Sequence, residues 1–203
     1  MDKKIILTDK DFIARGGERD CYLHPLDDKK VIKIVHGYSD IINRNQNDLD
    51  YKYFEFLKKL KCSFSHISKC YGYIDTNLGK GLIFDKVFDY NGKISITFLD
   101  TIIQNKFTKY EENELVEDLK NYLFKNNILF IDIGLYNVLC CEYEEGKYRL
   151  IIIDGLGGRR TGIKFWLYLN SKIFIKYKII KSWNRFLKEI DRKRNQLEEK
   201  RKF

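Results

Sequence analysis

Residues 128–157 read ILFIDIGLYNVLCCEYEEGKYRLIIIDGLG. Two strand-like runs inside this stretch, Val138 to Tyr143 and Tyr148 to Ile153, flank the turn Glu144-Glu145-Gly146-Lys147, a pattern that predicts an antiparallel hairpin. With Tyr143 opposite Tyr148, the register sets Asn137 opposite Asp154 just past the open end of the ladder. Cβ atoms of directly opposed residues lie about 4.5–5.5 Å apart. An amide oxygen and a carboxylate at that separation can share a small hard cation, and Mg²⁺ takes such oxygens together with water and phosphate. Asp132, five residues before Asn137, is a carboxylate within reach of the same space. Taken singly, each residue has a plainer reading: Asp154 can close a strand, and Asn137 is a common turn residue. One register that gathers all three favours a site.

Upstream, residues 20–35 read as a hairpin, with strands at Asp20 to His24 and Val31 to Val35 around the polar turn Pro25 to Lys29; the β-branched run marks the second strand. Gly16-Gly17, just before it, is where the backbone can turn tightly or approach a ligand. Lys33 shares its strand face with Val31 and Val35, which favours a buried, paired lysine over a solvated one. A helix is expected from about Asp48 to Lys61, with Tyr53, Phe54, Leu57 and Leu60 on one side and Asp50 on the same core-facing row. Strand-like runs follow at 68–74 and 81–85, then a polar link from Lys86 to Lys93 and a second helix over 110–126 carrying Leu115, Leu119, Tyr122 and Leu123. Strands come first and helices later, which predicts an α+β chain of two lobes, 1–88 and 89–203.

The 203 residues, 44% hydrophobic with one proline, exclude a disordered chain and suffice for one core or two small lobes. Cys21, Cys62, Cys70, Cys140 and Cys141 show no C-x-x-C spacing and read as small core residues rather than a disulfide or zinc framework. The N-terminus turns charged again after Ile5-Ile6-Leu7, unlike a signal peptide, and no run approaches a membrane span. The expected location is the cytoplasm. His24, His36 and His66 show no metal spacing and read as turn or surface residues. The net charge of +9 is uneven: from Gly158 onward there are 15 basic and 4 acidic residues. Bulky apolar residues interleave with these cations, a composition shared by interfacial helices and by solvated, packed C-terminal helices. Residues 192–202 lack a continuous apolar stripe and read as a polar or frayed extension.

The ordered set resembles the protein kinase-like superfamily. Asp132-Ile133-Gly134-Leu135-Tyr136-Asn137 is similar to its D-x-x-x-x-N catalytic loop, and Ile153-Asp154-Gly155-Leu156-Gly157 to its metal-binding segment. Lys33 resembles the strand lysine that holds the α- and β-phosphates, Gly16 and Gly17 a reduced phosphate-covering loop, and Asp50 the helix carboxylate that pairs with the lysine. More narrowly, blocks at 16–25, 32–35, 92–97 and 137–140 resemble the bacterial YrbL family, named for the PhoP regulatory network of the magnesium response, over most of residues 14–190. The sequence departs from the kinase pattern in several places: Phe130-Ile131 replaces His-Arg, Gly134 a lysine and Gly155 a phenylalanine, and no complete G-x-G-x-x-G is present.

The resemblance implies a single kinase-like domain over 1–203, with an antiparallel β-sheet N-lobe and a reduced, mainly helical C-lobe. It also implies use of ATP and Mg²⁺ and transfer of the γ-phosphate to a hydroxyl of a small molecule or glycan. Within it, Lys33 orients phosphates, Asn137 and Asp154 hold metal, Asp132 accepts the hydroxyl proton or aligns the acceptor, and Asp50 keeps Lys33 in place. Two alternatives stand beside this: a weak or inactive kinase-like regulator of a PhoP-type network, and a basic adaptor. For the adaptor an anionic membrane surface, at the inner membrane face, is a better expected partner than nucleic acid.

Overall fold

The β-branched run around Lys33 lies at the centre of a sheet in the computed structural model, which describes residues 4–36 and 45–201. Met1 to Lys3 of the N-terminal stretch and Lys202 and Phe203 of the tail lie outside the described residues. The chain is mixed α+β with antiparallel sheets, and it divides into two units.

The first unit draws on residues within 1–62, 68–86 and 158–166. Its sheet consists of β1 (Phe12–Arg15), β2 (Arg19–His24), β3 (Asp27–Val35), β4 (Cys70–Thr76) and β5 (Gly79–Asp85), in the order β1-β2-β3-β5-β4. The hairpin turn is shorter than the sequence suggests: His24 already pairs with Asp27, so β3 begins four residues before Val31. The edge strand β1 escapes sequence reading because all four of its residues are exposed and show no alternation. Alternation along β3 separates two faces. Ile32 and Ile34 pack with Leu7 on one face, while Lys33 and Val31 share the other with their cross-strand partners Leu82 and Phe84. Helix α1 (Gln46–Lys59) covers that second face, with the Phe54 ring edge-on to Phe84 at 5.7 Å. Asn45 caps it by accepting from Asp48 N. Leu60, expected in the apolar row, is 51% exposed, because the helix ends there and its row turns away from the sheet.

The second unit draws on residues within 63–67, 87–157 and 167–203. It contains the three-stranded sheet β6 (Ile96–Thr97), β7 (Val138–Glu144) and β8 (Lys147–Ile152), with β7 central. Its helices are α2 (Phe98–Ile103), α3 (Lys109–Asn126) and α5 (Lys172–Arg201), and α4 (Ile163–Asn170) bridges the two sets of residues. Helix α3 opens on a Thr108/Glu111 capping box and stops where Asn127 turns left-handed at φ 52°. Tail residues 192–201 continue α5 as helix. The link after Lys86 is not merely polar. Val87 is buried with Leu139 and Cys141, and Asp89 Oδ1 accepts from Ser95 Oγ and Glu142 N. Cys70, Cys140 and Cys141 are buried, and burial pushes the Cys140 thiol up to about 12, as suits a core thiol. No helix among the described residues is long and apolar enough to cross a membrane.

His66 departs from the expected surface position. It is buried, its Nδ1 lies 2.9 Å from the Leu150 carbonyl, and its ring packs against Tyr122, the centres 4.7 Å apart and the planes tilted by 38°. The segment is stitched to β8 by Ile152 N donating to His66 O and by an Ile67–Ile152 bridge, distant contacts that no local pattern announces. Burial holds the imidazole below its ordinary pKa, reinforced by Arg149; the Leu150 carbonyl and the Asp118 carboxylate pull the other way. Asp118 lies 3.4 Å from Nε2, yet its side chain is 62% exposed, and water screens that attraction. The folded state therefore favours neutral His66, whereas the unfolded chain takes up a proton near its ordinary value of about 6.5. Stability linked to His66 is present above that value and is lost as pH falls through it toward the lowered folded pKa. The melting temperature of the wild type is expected to drop more than that of His66→Gln between pH 7.5 and 5.5, roughly the window set by that unfolded value; equal drops would remove His66 from this account.

Candidate functional site

Three of the predicted residues meet at the open end of the β7–β8 ladder, though not by the register expected from sequence. Val138 pairs with Ile152, Cys140 with Leu150 and Glu142 with Tyr148, while Glu144 pairs with Lys147. Tyr143 is thus an extra residue bulged out of β7, and the predicted Tyr143–Tyr148 pairing is displaced by one. The bulge lets the chain close through Glu145 and left-handed Gly146 at φ 71°. At the other end, Asn137 O accepts from Ile153 N at 2.9 Å, so Asp154 lies one residue beyond Asn137's partner.

What draws Asp132 to Asp154 is the residue after Asp154. Ile131 N and Asp132 N both donate to Gly155 O, at 2.8 and 3.1 Å, Gly157 N donates to Leu129 O, and Phe130 bridges Leu156. Gly155 has φ +84°, and a Cβ there would stand 2.6 Å from Asp132 O and 2.8 Å from Asp132 Cβ. Only glycine permits this approach. Asn137 Nδ2 donates to Asp132 O at 3.0 Å. Its Oδ1 accepts no hydrogen bond from the described residues. Gly155 N donates to Asp154 Oδ1 at 2.7 Å, which sets the rotation of that carboxylate.

Asn137 is buried, whereas Asp132 and Asp154 are partly open to solvent. Two carboxylates and an amide oxygen are hard oxygen donors of the kind Mg²⁺ takes. The described residues gather no group of three or more His, Cys, Asp or Glu side chains able to hold a metal, so a cation here would take its remaining ligands from water and phosphate. The other departures also have structural counterparts. Phe130 is buried edge-on to Phe186 of α5 at 5.7 Å, an apolar anchor at the position of the expected histidine. A side chain at Gly134 would meet the Tyr136 ring at 2.6 Å, and that ring is largely exposed.

In the first unit, Lys33 is 7% exposed, with its ammonium 4.6 Å from the centre of the Phe84 ring. Asn47 Nδ2 donates to the Lys33 carbonyl at 3.0 Å, tying α1 to β3. Asp50 is also buried. Its Oδ2 accepts from Arg19 Nη1 at 2.7 Å and its Oδ1 from Gln46 Nε2 at 2.7 Å, while Arg19 also donates to Asn47 Oδ1. Arg19, 5% exposed, is the residue missed from sequence. Its role follows from the β2–β3 register, in which Cys21, two residues on, pairs with Lys33, a pairing that no local pattern announces. Gly16 and Gly17 form the exposed β1–β2 turn. Gly16 N donates to Arg19 O at 2.7 Å, and neither glycine has positive φ. A cleft of about 560 Å³ at this turn is lined by Gly16, Gly17, Asp20, Tyr22, Ile34 and Val35 among others.

Gly155→Ala is expected to destabilise the protein by about 2 kcal/mol or more, through its φ and the collision with Asp132. A Cβ on Gly17 meets nothing within 4 Å, so Gly17→Ala should stay within about 0.5 kcal/mol. Arg19→Ala removes the guanidinium that a buried carboxylate is paired with and should cost about 3–5 kcal/mol. Urea denaturation midpoints measure all three; a Gly155→Ala midpoint equal to that of Gly17→Ala would refute the close-approach account.

Known proteins place the chain in a family. The family model for the PhoP regulatory network protein YrbL matches residues 5–191. The protein named "Uncharacterized protein YrbL" from Escherichia coli (strain K12) is 30% identical over 158 residues, covering 75% of this chain and 73% of the relative. Its namesake from Shigella flexneri shows the same identity and coverage. The chain belongs to the YrbL family of PhoP regulatory network proteins.

Proposed function

We propose that the chain is an ATP- and Mg²⁺-dependent phosphotransferase of kinase-like fold, acting on a hydroxyl of a small molecule or glycan. The observation that carries this reading is the gathering of Asp132, Asn137 and the Asp154 segment through the Gly155 carbonyl. Asn137 and Asp154 would hold Mg²⁺, which when bound neutralises charge on phosphate oxygens. Asp132, its backbone held by Gly155 and Asn137, accepts the acceptor's hydroxyl proton or aligns that hydroxyl. Lys33 binds nucleotide phosphates; its burial in the first unit keeps its long stem from sampling many rotamers.

One observation favours a second reading. Phe130, where the kinase pattern has histidine, is buried against Phe186, which suits a nucleotide-binding regulator with weak or absent transfer. Such a role is compatible with the PhoP network named in the family description.

Calorimetric titration with ATP and Mg²⁺, followed by incubation with γ-labelled ATP and a panel of hydroxyl compounds, tests both readings. The enzyme reading expects Mg²⁺-dependent binding that weakens at least about tenfold in Lys33→Ala and Asp154→Ala, with label transfer reduced about a hundredfold or more in Asp132→Ala. Binding without transfer to any acceptor favours the regulator, and no binding of ATP with Mg²⁺ overturns both.

A further inference from the structure

Helix α5 is buried along one side and carries a second apolar stripe on the other. Ile175, Ile179, Trp183, Phe186 and Ile190 are buried. Ile173, Tyr177, Ile180 and Leu187 are exposed, Ile173 at 85%. At 100° per residue these four fall within one narrow sector, which runs about 21 Å along the axis at 1.5 Å per residue. The same spacing sets Lys172 and Lys176 along one edge of the sector and Lys181, Arg185 and Lys188 along the other. All five cations are exposed, and none pairs with a carboxylate among the described residues. Helix α5 has no acidic residue before Glu189, and Glu189 is taken by Arg192. A shallow groove of about 320 Å³ lined by Tyr177, Ile180, Asn184 and the cations Lys181, Arg185 and Lys188 runs along the stripe.

We infer that this face of α5 docks in the plane of an anionic phospholipid surface. Charge complementarity selects the occupant. An apolar centre with cations on both borders matches a bilayer, where Ile, Leu and Tyr enter the boundary between headgroups and acyl chains while the flexible stems of Lys and Arg carry their charges to lipid phosphates. A nucleic acid would press its phosphates against Ile173 and Ile180 and leave the bordering cations at its margin. At 100° per residue the stripe is centred about 135° round α5 from Phe186, whose ring packs against Phe130, so docking leaves that core contact untouched. The inference does not depend on phosphotransfer.

The test is co-sedimentation of the full chain with vesicles of phosphatidylcholine alone, or of phosphatidylcholine mixed with phosphatidylglycerol, at low and high salt. Two variants change exposed residues only: Ile173→Ser with Ile180→Ser and Leu187→Ser, and Lys176→Glu with Lys181→Glu and Lys188→Glu. Circular dichroism checks that each retains its helix content. The wild type is expected to sediment with the anionic vesicles, not with the neutral ones, and to release as salt rises. Each triple variant is expected to bind the anionic vesicles at least about tenfold more weakly. Failure of the wild type to bind anionic vesicles overturns the inference. Unchanged binding by the serine variant, with duplex DNA competing the vesicles away, also overturns it and makes the surface a nucleic-acid site.

Discussion

Two hydrogen bonds to one carbonyl hold the candidate site together. Ile131 N and Asp132 N both donate to Gly155 O, and the missing side chain of Gly155 lets that carbonyl come close enough to receive them. The segment carrying Asp132 is thereby clamped to the segment carrying Asp154. Asn137 completes the clamp through its amide on the Asp132 carbonyl. Backbone bonds of this kind do not depend on side-chain rotamers, so the functional groups can be charged and partly solvated while their spacing stays fixed. The same logic accounts for Phe130: once the backbone aligns Asp132, the residue before the loop is available to anchor the core against Phe186.

The first unit solves a different problem, the burial of charge. Lys33, Arg19 and Asp50 are all nearly excluded from solvent, a costly arrangement unless each charge is compensated. Asp50 receives donors on both oxygens, and Arg19 is shared between Asp50 and Asn47. Asn47 in turn bonds the Lys33 carbonyl. The helix and the central strand are therefore coupled through a polar network on the face that holds Lys33, beside the apolar contact of Phe54 and Phe84. A bidentate-capable guanidinium explains how the carboxylate tolerates burial, which a lysine alone supports less well.

Much of this could be read from the chain before any coordinates. The alternation of Val31, Lys33 and Val35 marked a buried lysine, the row of Tyr53, Phe54 and Leu57 marked a helix face that also carries Asp50, and the spacing of Asp132, Asn137 and Asp154 marked one end of a hairpin. Where the reading departed from the structure, the cause was a contact between residues far apart in sequence or a local irregularity. His66 is buried because the Leu150 carbonyl and the Tyr122 ring meet it across the fold. The one-residue error in the β7–β8 register came from the Tyr143 bulge, which periodicity cannot display because a bulge breaks the period. Leu60 fits the helical row, yet the helix ends under it.

The sequence by itself determined the two main hairpins and the helices α1 and α3, the order of the chemically active residues, the burial of Lys33 and the uneven charge of the tail, because these follow from local periodicity and composition. Tertiary structure alone decided that Gly155, rather than direct opposition of Asn137 and Asp154, joins the segment carrying Asp132 to the one carrying Asp154. It also decided that Arg19 compensates Asp50, and that one stripe of α5 is buried while another faces solvent. The physical reason is the same in each case. A residue's type limits what it can bond, but which partner arrives, and whether water is excluded when it does, depends on bulges, close approaches and helix rotation that exist only once the whole chain has packed.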